Sequence, residues 1–396
     1  MKILIYSVLF PNSVQNTYGM FVSERVRFLK NHCEIKVVAP VPFFPNISIF
    51  KKWTKYSLIP KFEVIDGVEV YHPRFLLFPK NIFRKYLGFL LYLTTRTLIK
   101  TIKKDYNFDL IHAHFAVPSG IAASHLSKYV NVPFIITEHF SKLHEDLSIN
   151  SNIKKKLIKV YNKNSLIIAV SEKIKSDLVN VGIKKERIRI IPNGVDCNKF
   201  PISFPSKKMN PIRLLSIGGL IESKGFIYLI KAVKMLNENN INVVLTIIGE
   251  GKQRSDLENL IKKLKLDEKV ILKGNILHSQ LKDYFNKTHI FVLPSLFESF
   301  SVVTIEALSC GIPVIVTKCG GPEYFVTDEV GLIIKKENEN ILADNIEKMI
   351  NSYKYYNKNK IRQYCKNNFD YKIISPKIIS TYEQILSNSS LKLEVN

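Results

Sequence analysis

The chain has 396 residues, 46% of them hydrophobic, so it is long enough for two or three domains with sizeable cores. Its five cysteines are scattered, with no CxxC pair and no zinc-ligand spacing. This argues against a disulfide framework or a structural zinc site and favours a reducing compartment. The formal net charge of +24 favours an anionic partner, which could be nucleic acid, an acidic membrane face or a phosphorylated small molecule. An AT-rich genome would raise the lysine content without any such partner.

The apolar start of the chain, Met1–Phe10, predicts a buried strand. Its apolar run is short, one lysine precedes it, and no small-residue cleavage site follows, so a signal peptide is disfavoured. We therefore expect a cytoplasmic protein.

Short β-branched runs alternate with helix-length segments through the first half of the chain. The predicted strands are Lys2–Leu9, Glu34–Ala39, Asp109–His112, Pro133–Thr137, Ser165–Val170 and Arg187–Ile191. The predicted helices include Tyr18–Asn31, Ser119–Tyr129 and Glu172–Val181. Strands this uniformly apolar are covered on both faces, so the alternation predicts βαβ units in a parallel sheet.

The segment Lys80–Lys104 differs from its surroundings. It is apolar on all sides around Tyr86–Leu93, but it is too short to span a bilayer, which needs roughly 20 apolar residues. Seven basic residues and no acidic one lie in it: Lys80, Arg84, Lys85, Arg96, Lys100, Lys103 and Lys104. Two interpretations remain open, a basic amphipathic helix at an anionic membrane surface and a core helix with solvated lysine ends.

A Pro/Ser/Lys-rich stretch, Asn198–Pro211, is predicted to be a linker, and a second alternation follows it. Its predicted strands are Ile212–Gly218, Val243–Gly249, Lys269–Gly274, His289–Pro294, Pro313–Thr317 and Val330–Ile334. Its predicted helices include Gly225–Asn237, Gln253–Leu264 and Val302–Ser309. The fold class is therefore α/β, with two doubly wound domains. Ligands of such sheets bind outside the carboxyl ends of the strands, so we expect the domains to face a shared cleft.

The stretch from Leu293 to Ile315 carries the most specific signal. A strand ends at Pro294, a short loop follows, and a helix begins near Ser301, a plausible N-cap residue. This geometry directs backbone N–H groups and the positive end of a helix dipole at one ligand and suits a diphosphate. Glu298 in the loop and Glu306 in the helix can accept hydrogen bonds from sugar hydroxyls. The stretch therefore predicts a nucleotide-sugar site.

Glu298 and Glu306, followed by Ala307-Leu-Ser-Cys-Gly-Ile-Pro-Val314, resemble the paired-glutamate motif of glycosyltransferase family 4, whose members are retaining enzymes with the GT-B fold. The resemblance implies that Glu306 binds the nucleotide ribose and Glu298 the donor sugar. It also implies that the amides of Ser299, Phe300 and Ser301 meet the sugar and the diphosphate, although the family usually has glycine at positions 299 and 301.

Other stretches carry the resemblance further. Gly218 and Lys224 match a second motif, in which the lysine neutralises the leaving group. Related sequences commonly pair this lysine with an arginine where this chain has Gly219.

Gly19 matches the family's glycine-rich loop near the donor phosphates. His139, at the end of a strand, matches a histidine that contacts the donor sugar. His114 is a candidate acceptor-side contact.

The resemblance also implies a division of the chain. Residues 1–198 would form the acceptor side, with the last helix, 372–396, packed back on them, and residues 199–371 would bind the donor.

We therefore predict a retaining glycosyltransferase that uses a UDP- or GDP-type sugar in bacterial or archaeal cell-surface polysaccharide or glycolipid synthesis. His139, Lys224 and Glu298 are the predicted catalytic residues. No cofactor, metal or nucleic acid is expected, and the acceptor is hypothesised to be lipid-linked at an anionic membrane. A dehydrogenase is disfavoured because no glycine precedes Gly19 after the first strand. A catalytically weak scaffold that binds lipid or nucleic acid is the alternative, and Gly219 keeps it open.

Overall fold

The computed structural model describes residues 1–43, 55–76, 86–139, 151–163, 166–203 and 210–393. The chain forms two compact units, Met1–Pro192 together with the chain from Ile374 onward, and Asn193–Ile373. Each unit has its own largely parallel sheet with helices, which confirms the predicted α/β class. Their assignment as acceptor and donor sides stays a prediction.

The first unit contains an eight-stranded sheet and a two-stranded one. Its strands are β1 (Lys2–Tyr6), β2 (Glu34–Val38), β3 (Val41–Phe43), β4 (Phe62–Ile65), β5 (Val68–Tyr71), β6 (Arg74–Leu76), β7 (Leu110–His114), β8 (Phe134–Glu138), β9 (Ile167–Ala169) and β10 (Ile188–Ile190). The order in the large sheet is β10-β9-β8-β7-β1-β2-β5-β4, while β3 pairs with β6. The central strands β7 and β8 are buried along their whole length, as continuous apolar runs in a parallel sheet require.

One pairing in this sheet is antiparallel. β4 and β5 form a hairpin through Asp66 and Gly67, both of which have positive φ. This hairpin is not among the predicted elements, although an Asp-Gly pair between alternating apolar residues is a strong hairpin signal.

The helices of the first unit connect the parallel strands. They are α1 (Met20–Leu29), α2 (Leu87–Tyr106), α3 (Ile121–Val130), α4 (Ser151–Lys163) and α5 (Glu172–Asn180).

Helix α2 has one buried stripe and one exposed face. Leu91 and Ile99 lie on a buried stripe, whereas Phe89 and Leu93 are exposed. Lys80, Arg84 and Lys85 lie outside the described residues. No helix in the described ranges is long and apolar enough to cross a bilayer.

The second unit contains a six-stranded, fully parallel sheet. Its strands are β11 (Ile212–Ile217), β12 (Val243–Ile248), β13 (Val270–Leu272), β14 (Ile290–Leu293), β15 (Val314–Thr317) and β16 (Gly331–Ile334), in the order β13-β12-β11-β14-β15-β16. Its helices are α6 (Phe226–Glu238), α7 (Arg254–Lys263), α8 (Leu281–Phe285), α9 (Val302–Ser309), α10 (Glu339–Asn351) and α11 (Lys358–Phe369). Alternate residues of β11 and β12, such as Leu214 and Leu245, join α6, α7 and α10 in one apolar core.

The last helix, α12 (Tyr371–Leu393), returns the chain to the first unit. Its buried Tyr382 hydroxyl is hydrogen-bonded to His112 Nδ1 of β7 at 2.6 Å. The end of the chain is thus tied to a central strand of the first sheet.

Candidate active site

Polar side chains of the second unit meet at the carboxyl edge of its sheet. Glu298 follows β14, Lys224 lies in a 3-10 turn after β11, and His278 follows β13. Glu306 lies in helix α9, between β14 and β15. The strands are parallel and ordered β13-β12-β11-β14, so their carboxyl ends bring these residues to one edge. We call the group Lys224, His278, Glu298 and Glu306 the carboxylate site.

Glu298 is held by two side chains. Its Oε1 atom accepts hydrogen bonds from Lys224 Nζ at 2.5 Å and from Ser295 Oγ at 2.8 Å. Its backbone N–H donates to the carbonyl oxygen of Cys319 at 2.9 Å. The carboxylate and the ammonium are both largely buried, so their attraction is screened less than that of a surface pair. The pair places one negative and one positive group side by side.

Glu306 is 3% exposed and has one satisfied oxygen. His278 Nε2 donates to its Oε1 at 2.7 Å, and the His278 ring packs edge-on against Phe200. Its other oxygen, Oε2, is buried and has no hydrogen-bond partner among the described residues. A buried carboxylate oxygen without a donor costs free energy. Glu306 is therefore ready to accept a hydrogen bond from a ligand hydroxyl.

Glycines shape the turn that carries Lys224. Gly225 has a φ of +65°, and a Cβ atom there would lie 2.2 Å from the Pro294 carbonyl oxygen, so glycine is required. A Cβ at Gly218 would make ordinary contact with the Lys224 side chain at 3.4 Å. A Cβ at Gly219 would meet nothing closer than the Glu250 carbonyl oxygen at 3.8 Å, so the backbone at this position does not require glycine.

The structure corrects the expected capping role of Ser301. This residue occupies the N-cap position of α9, but its φ is +77° and its side chain caps no helix N–H. Its hydroxyl is instead hydrogen-bonded to Thr304 Oγ1 at 2.8 Å. A positive φ favours glycine, which explains the glycine of related sequences at this position. Phe300 packs its ring against Phe325, so it can reach a ligand only through its backbone.

Of the predicted site residues of the first unit, His114 and His139 are buried and Gly19 is partly exposed. Gly19 has a φ of +72°, and a Cβ there would lie 2.4 Å from the Leu9 carbonyl carbon, so this glycine lets the loop pack on the end of the first strand. Three histidine rings, His112, His114 and His139, are stacked, with centroids 4.5 and 5.2 Å apart. We call them the histidine stack.

Hydrogen bonds fix the histidine stack in place. His114 Nδ1 is hydrogen-bonded to His139 Nε2 at 2.9 Å, and His112 Nε2 to Thr137 Oγ1 at 2.7 Å. The Glu138 carboxylate accepts from the His139 backbone N–H at 3.0 Å. His114 is completely buried, so the acceptor contact predicted for it would require its surroundings to move.

Burial keeps the histidine stack uncharged. It lowers the pKa of His112 to about 3, with a further contribution from the nearby Arg25 guanidinium. Burial lowers the pKa of His114 and His139 well below the usual range, and neighbouring histidines and Arg25 act in the same direction. At neutral pH these rings can thus donate and accept hydrogen bonds as uncharged imidazoles, but they cannot supply positive charge.

Two family models together match residues 57–368. "Glycosyl transferases group 1" matches residues 199–368 and "Glycosyltransferase Family 4" matches residues 57–199. An uncharacterized glycosyltransferase of Methanocaldococcus jannaschii is 30% identical over 276 residues, which cover 68% of this chain and 73% of the relative. The chain belongs to glycosyltransferase family 4. It is an enzyme with the GT-B fold.

Other relatives of this glycosyltransferase act in glycan synthesis. The putative teichuronic acid biosynthesis glycosyltransferase TuaC of Bacillus subtilis is 28% identical over 87% of this chain and 88% of the relative. An N-acetylgalactosaminyltransferase of Campylobacter jejuni, whose name gives a diphospho-undecaprenol acceptor, is 35% identical over 54% of this chain and 60% of the relative.

Solved structures share the fold of the glycosyltransferase. A sucrose-phosphate synthase of Thermosynechococcus elongatus has a TM-score of 0.79 at 19% identity and covers 98% of this chain and 100% of that one. Anabaena HepE in complex with UDP has a TM-score of 0.72 at 19% identity, over 97% of this chain and 100% of that one.

Sequence reasoning missed three polar partners of the predicted residues in this glycosyltransferase. His278 holds Glu306, Ser295 holds Glu298, and Glu138 holds the backbone of His139. Ser295 comes just after a strand and Glu138 ends one, whereas His278 lies in a 3-10 turn farther beyond β13. The position at the end of a strand was the signal that singled out His139, and it applied equally to Ser295 and Glu138.

Proposed function

We propose that this glycosyltransferase transfers a sugar from a nucleoside diphosphate sugar to an acceptor hydroxyl with retention of anomeric configuration. The observation that carries the proposal is the buried, unpartnered Oε2 atom of Glu306, which lies at the same sheet edge as the Lys224–Glu298 pair. A ribose hydroxyl that donates to Oε2 would satisfy this oxygen. Retention is inferred from the paired-glutamate motif of the family, on which Glu298 and Glu306 fall.

Lys224 supplies positive charge for the departing diphosphate. Its ammonium now contacts the Glu298 carboxylate, and an incoming diphosphate offers it a second anionic partner. Glu298 then has free acceptor capacity for the hydroxyls of the donor sugar. A positioned cation stabilises the charge that develops as the glycosidic bond breaks.

Two further assignments complete the proposed mechanism. His139, neutral at the pH of the reaction, is proposed to contact the donor sugar as a hydrogen-bonding group. No metal is needed in this proposal, because Lys224 and backbone N–H groups provide the positive end of the diphosphate interaction. The rate should therefore be insensitive to EDTA when no divalent cation is added, and a strict requirement for Mg²⁺ or Mn²⁺ would contradict this part.

We further propose that the acceptor is presented at an anionic membrane surface. Phe89 and Tyr92 of α2 contact the His125 ring of α3, and Tyr92 also contacts Tyr129. We call these four residues the aromatic patch. Tyrosine rings such as those of Tyr92 and Tyr129 are favoured at membrane interfaces, because one end of the ring is apolar and the other is polar.

Cations surround the aromatic patch. The pKa of His125 is lowered by burial and by the nearby charges of Lys163 and Lys128. Arg96 and Lys100 of α2 are exposed on the same helix as Phe89. The combination of exposed aromatic rings and lysines suits an anionic lipid headgroup layer, each nearby cation contributing on the order of 1 kcal/mol. The relative from Campylobacter jejuni, with its diphospho-undecaprenol acceptor, supports a lipid-linked substrate.

Flotation with phosphatidylglycerol liposomes tests the membrane proposal. The wild-type protein should float with the liposomes at low salt and be released at high salt, because exposed charges are screened. Phe89→Ser should weaken flotation, whereas Ile271→Ser, which changes an exposed apolar residue of the second unit, should leave it unchanged. Equal flotation of both variants, or none of the wild type, would contradict the proposal.

A donor screen tests the proposed reaction. The purified enzyme is incubated with UDP- and GDP-sugars, and released nucleoside diphosphate and transferred sugar are detected by mass. We expect one donor class to be consumed, and the anomeric configuration of the product, read by proton NMR, to match that of the donor. An inverted product would contradict retention. No consumption of any donor, with or without liposomes, would favour a catalytically weak scaffold.

A further inference from the structure

The second unit contains a cavity of about 520 Å³ away from the carboxylate site. It lies mainly on the side of β11 and β12 that faces away from α6 and α7, because Arg213, Val244 and Thr246 line it and lie outside the core. Leu214, a core residue, also contributes to the lining. Parallel sheets are normally covered on both faces. Here the covering helix α8 has only five residues and leaves part of the face open. We call this space the strand-face cavity.

The charges around the strand-face cavity favour an anion. Arg213, Lys273 and Lys287 line it and are exposed, and Asp283 is the one carboxylate that the described part of the chain contributes to the lining. Among the described residues none of these three cations makes an ion pair. In contrast, Lys231 of the same unit is paired with a glutamate. Three cations in the lining of one cavity attract a phosphate or a carboxylate.

The neutral lining favours a hydroxylated ring. Thr246, Asn275 and Gln280 offer donors and acceptors to hydroxyl groups. Tyr284 and Ile271 offer apolar surface to the face of a ring. A volume of about 520 Å³ lies within the usual range of small-molecule sites, which is about 300 to 1,000 Å³. A saccharide with one anionic group combines these features.

One segment joins the strand-face cavity to the carboxylate site. Asn275, Ile276 and Gln280 line the cavity, while His278, between them, donates its hydrogen bond to Glu306. A ligand that holds Asn275 and Gln280 therefore also restrains the residue that orients Glu306. If the ligand binds one arrangement of this segment more tightly than another, it changes the affinity for the nucleotide at the carboxylate site.

We propose that the strand-face cavity binds an anionic saccharide, and that its occupancy changes nucleotide affinity through residues 275–280. The anionic saccharide is either a free sugar phosphate or a uronic acid unit of a glycan. The binding part stands on the cavity alone, whereas the coupling part rests on the proposed function of Glu306.

Calorimetric titration of the full chain tests the binding part. The probes are glucose 6-phosphate, glucuronate, inorganic phosphate and glucose, each titrated with and without saturating UDP. We expect glucose 6-phosphate or glucuronate to bind at least tenfold more tightly than phosphate or glucose, and binding to persist with UDP present. The better of the two probes identifies the source of the anionic group.

Variants locate the probe. Arg213→Ala with Lys287→Ala should weaken probe binding at least tenfold, because two charge-assisted contacts are lost. Lys262→Ala, which removes an exposed lysine of α7 on the other face of the sheet, should leave it unchanged. Equal affinity of the double variant and the wild type, loss of probe binding when UDP is present, or no preference over phosphate would overturn the proposal.

The coupling is measured as the UDP affinity with and without the probe. We expect a change of at least threefold in the wild type and none in the double variant, whose UDP affinity without the probe should equal that of the wild type. An unchanged UDP affinity in the wild type would overturn the coupling. A chain that binds the probe at Arg213 but binds neither UDP nor GDP would refute the proposed function and leave the cavity assignment in place.

Discussion

Replacement of Glu306 by glutamine should weaken nucleotide binding by a predictable amount. The substitution keeps the size of a side chain that is 3% exposed and removes the charge from Oε2, the atom without a described partner. A charge-assisted hydrogen bond contributes about 1.5–3 kcal/mol, and about 1.4 kcal/mol corresponds to a factor of ten. We therefore expect the Kd of the nucleoside diphosphate to rise by about tenfold to a hundredfold.

The assay is isothermal titration with UDP and GDP on the wild type and Glu306→Gln. Glu268→Gln, which changes an exposed glutamate on the loop before β13, is the matched control and should leave the Kd unchanged. Circular dichroism and the Tm check that each variant is folded.

An analogue of the nucleotide that lacks both ribose hydroxyls isolates the contact. The analogue should bind the wild type as weakly as UDP binds Glu306→Gln. The Kd of the analogue should be nearly the same for the wild type and for Glu306→Gln. If Glu306→Gln weakens the analogue as much as it weakens UDP, the carboxylate does not contact the ribose, and the reasoning from the free Oε2 atom is wrong.

Three further predictions concern turnover, folding and pH. Lys224→Ala should lower kcat about tenfold to a hundredfold through loss of a charge-assisted contact, while Lys231→Ala should not; equal rates would remove Lys224 from the mechanism. Gly225→Ala should lower the free energy of unfolding in urea by about 2 kcal/mol or more. It should do so more than Gly182→Ala, which shares the positive φ but meets no atom within 4 Å; equal losses would exclude the overlap with Pro294 as the cause. The histidines of the folded stack have lowered pKa values, so the unfolded chain takes up protons before the folded chain does. The free energy of unfolding should therefore be highest above about pH 6.5 and fall by about 1 kcal/mol per histidine between pH 6.5 and 5.5. A free energy of unfolding in urea that does not change over this pH range would contradict this.

The sequence predicted the regular elements of the second unit closely. Strand β12 was predicted at Val243–Gly249 and lies at Val243–Ile248, and helix α9 was predicted at Val302–Ser309 and lies there. The strand is a continuous apolar, β-branched run, and the helix begins directly after a polar loop, so both have strong local signals. Local pattern therefore determined these boundaries.

The first unit was harder to predict where polar residues sit in strands. More exposed and less exposed residues alternate along β4 and β5, a weaker signal than a continuous apolar run, and the hairpin was missed despite its Asp-Gly turn. In α2, periodicity did not reveal that Phe89 would face outward, because its orientation is set by how α2 packs on α3.

The chemistry of the site was predicted only in part. The paired glutamates and Lys224 could be found from sequence motifs, because each motif lies within one short stretch of the chain. His278, the partner of Glu306, could not be found this way, because it is 28 residues from Glu306 along the chain and reaches it only through the order of the strands. The side-chain contacts of Ser301 also depend on its left-handed backbone conformation, which the presence of a serine does not predict.

A crystal structure of the enzyme with UDP or GDP bound tests the central claim most directly. The account predicts a ribose hydroxyl within hydrogen-bonding distance of the Glu306 carboxylate and the diphosphate beside Lys224. A nucleotide bound elsewhere on the second unit, with Glu306 still touching only His278, would contradict it.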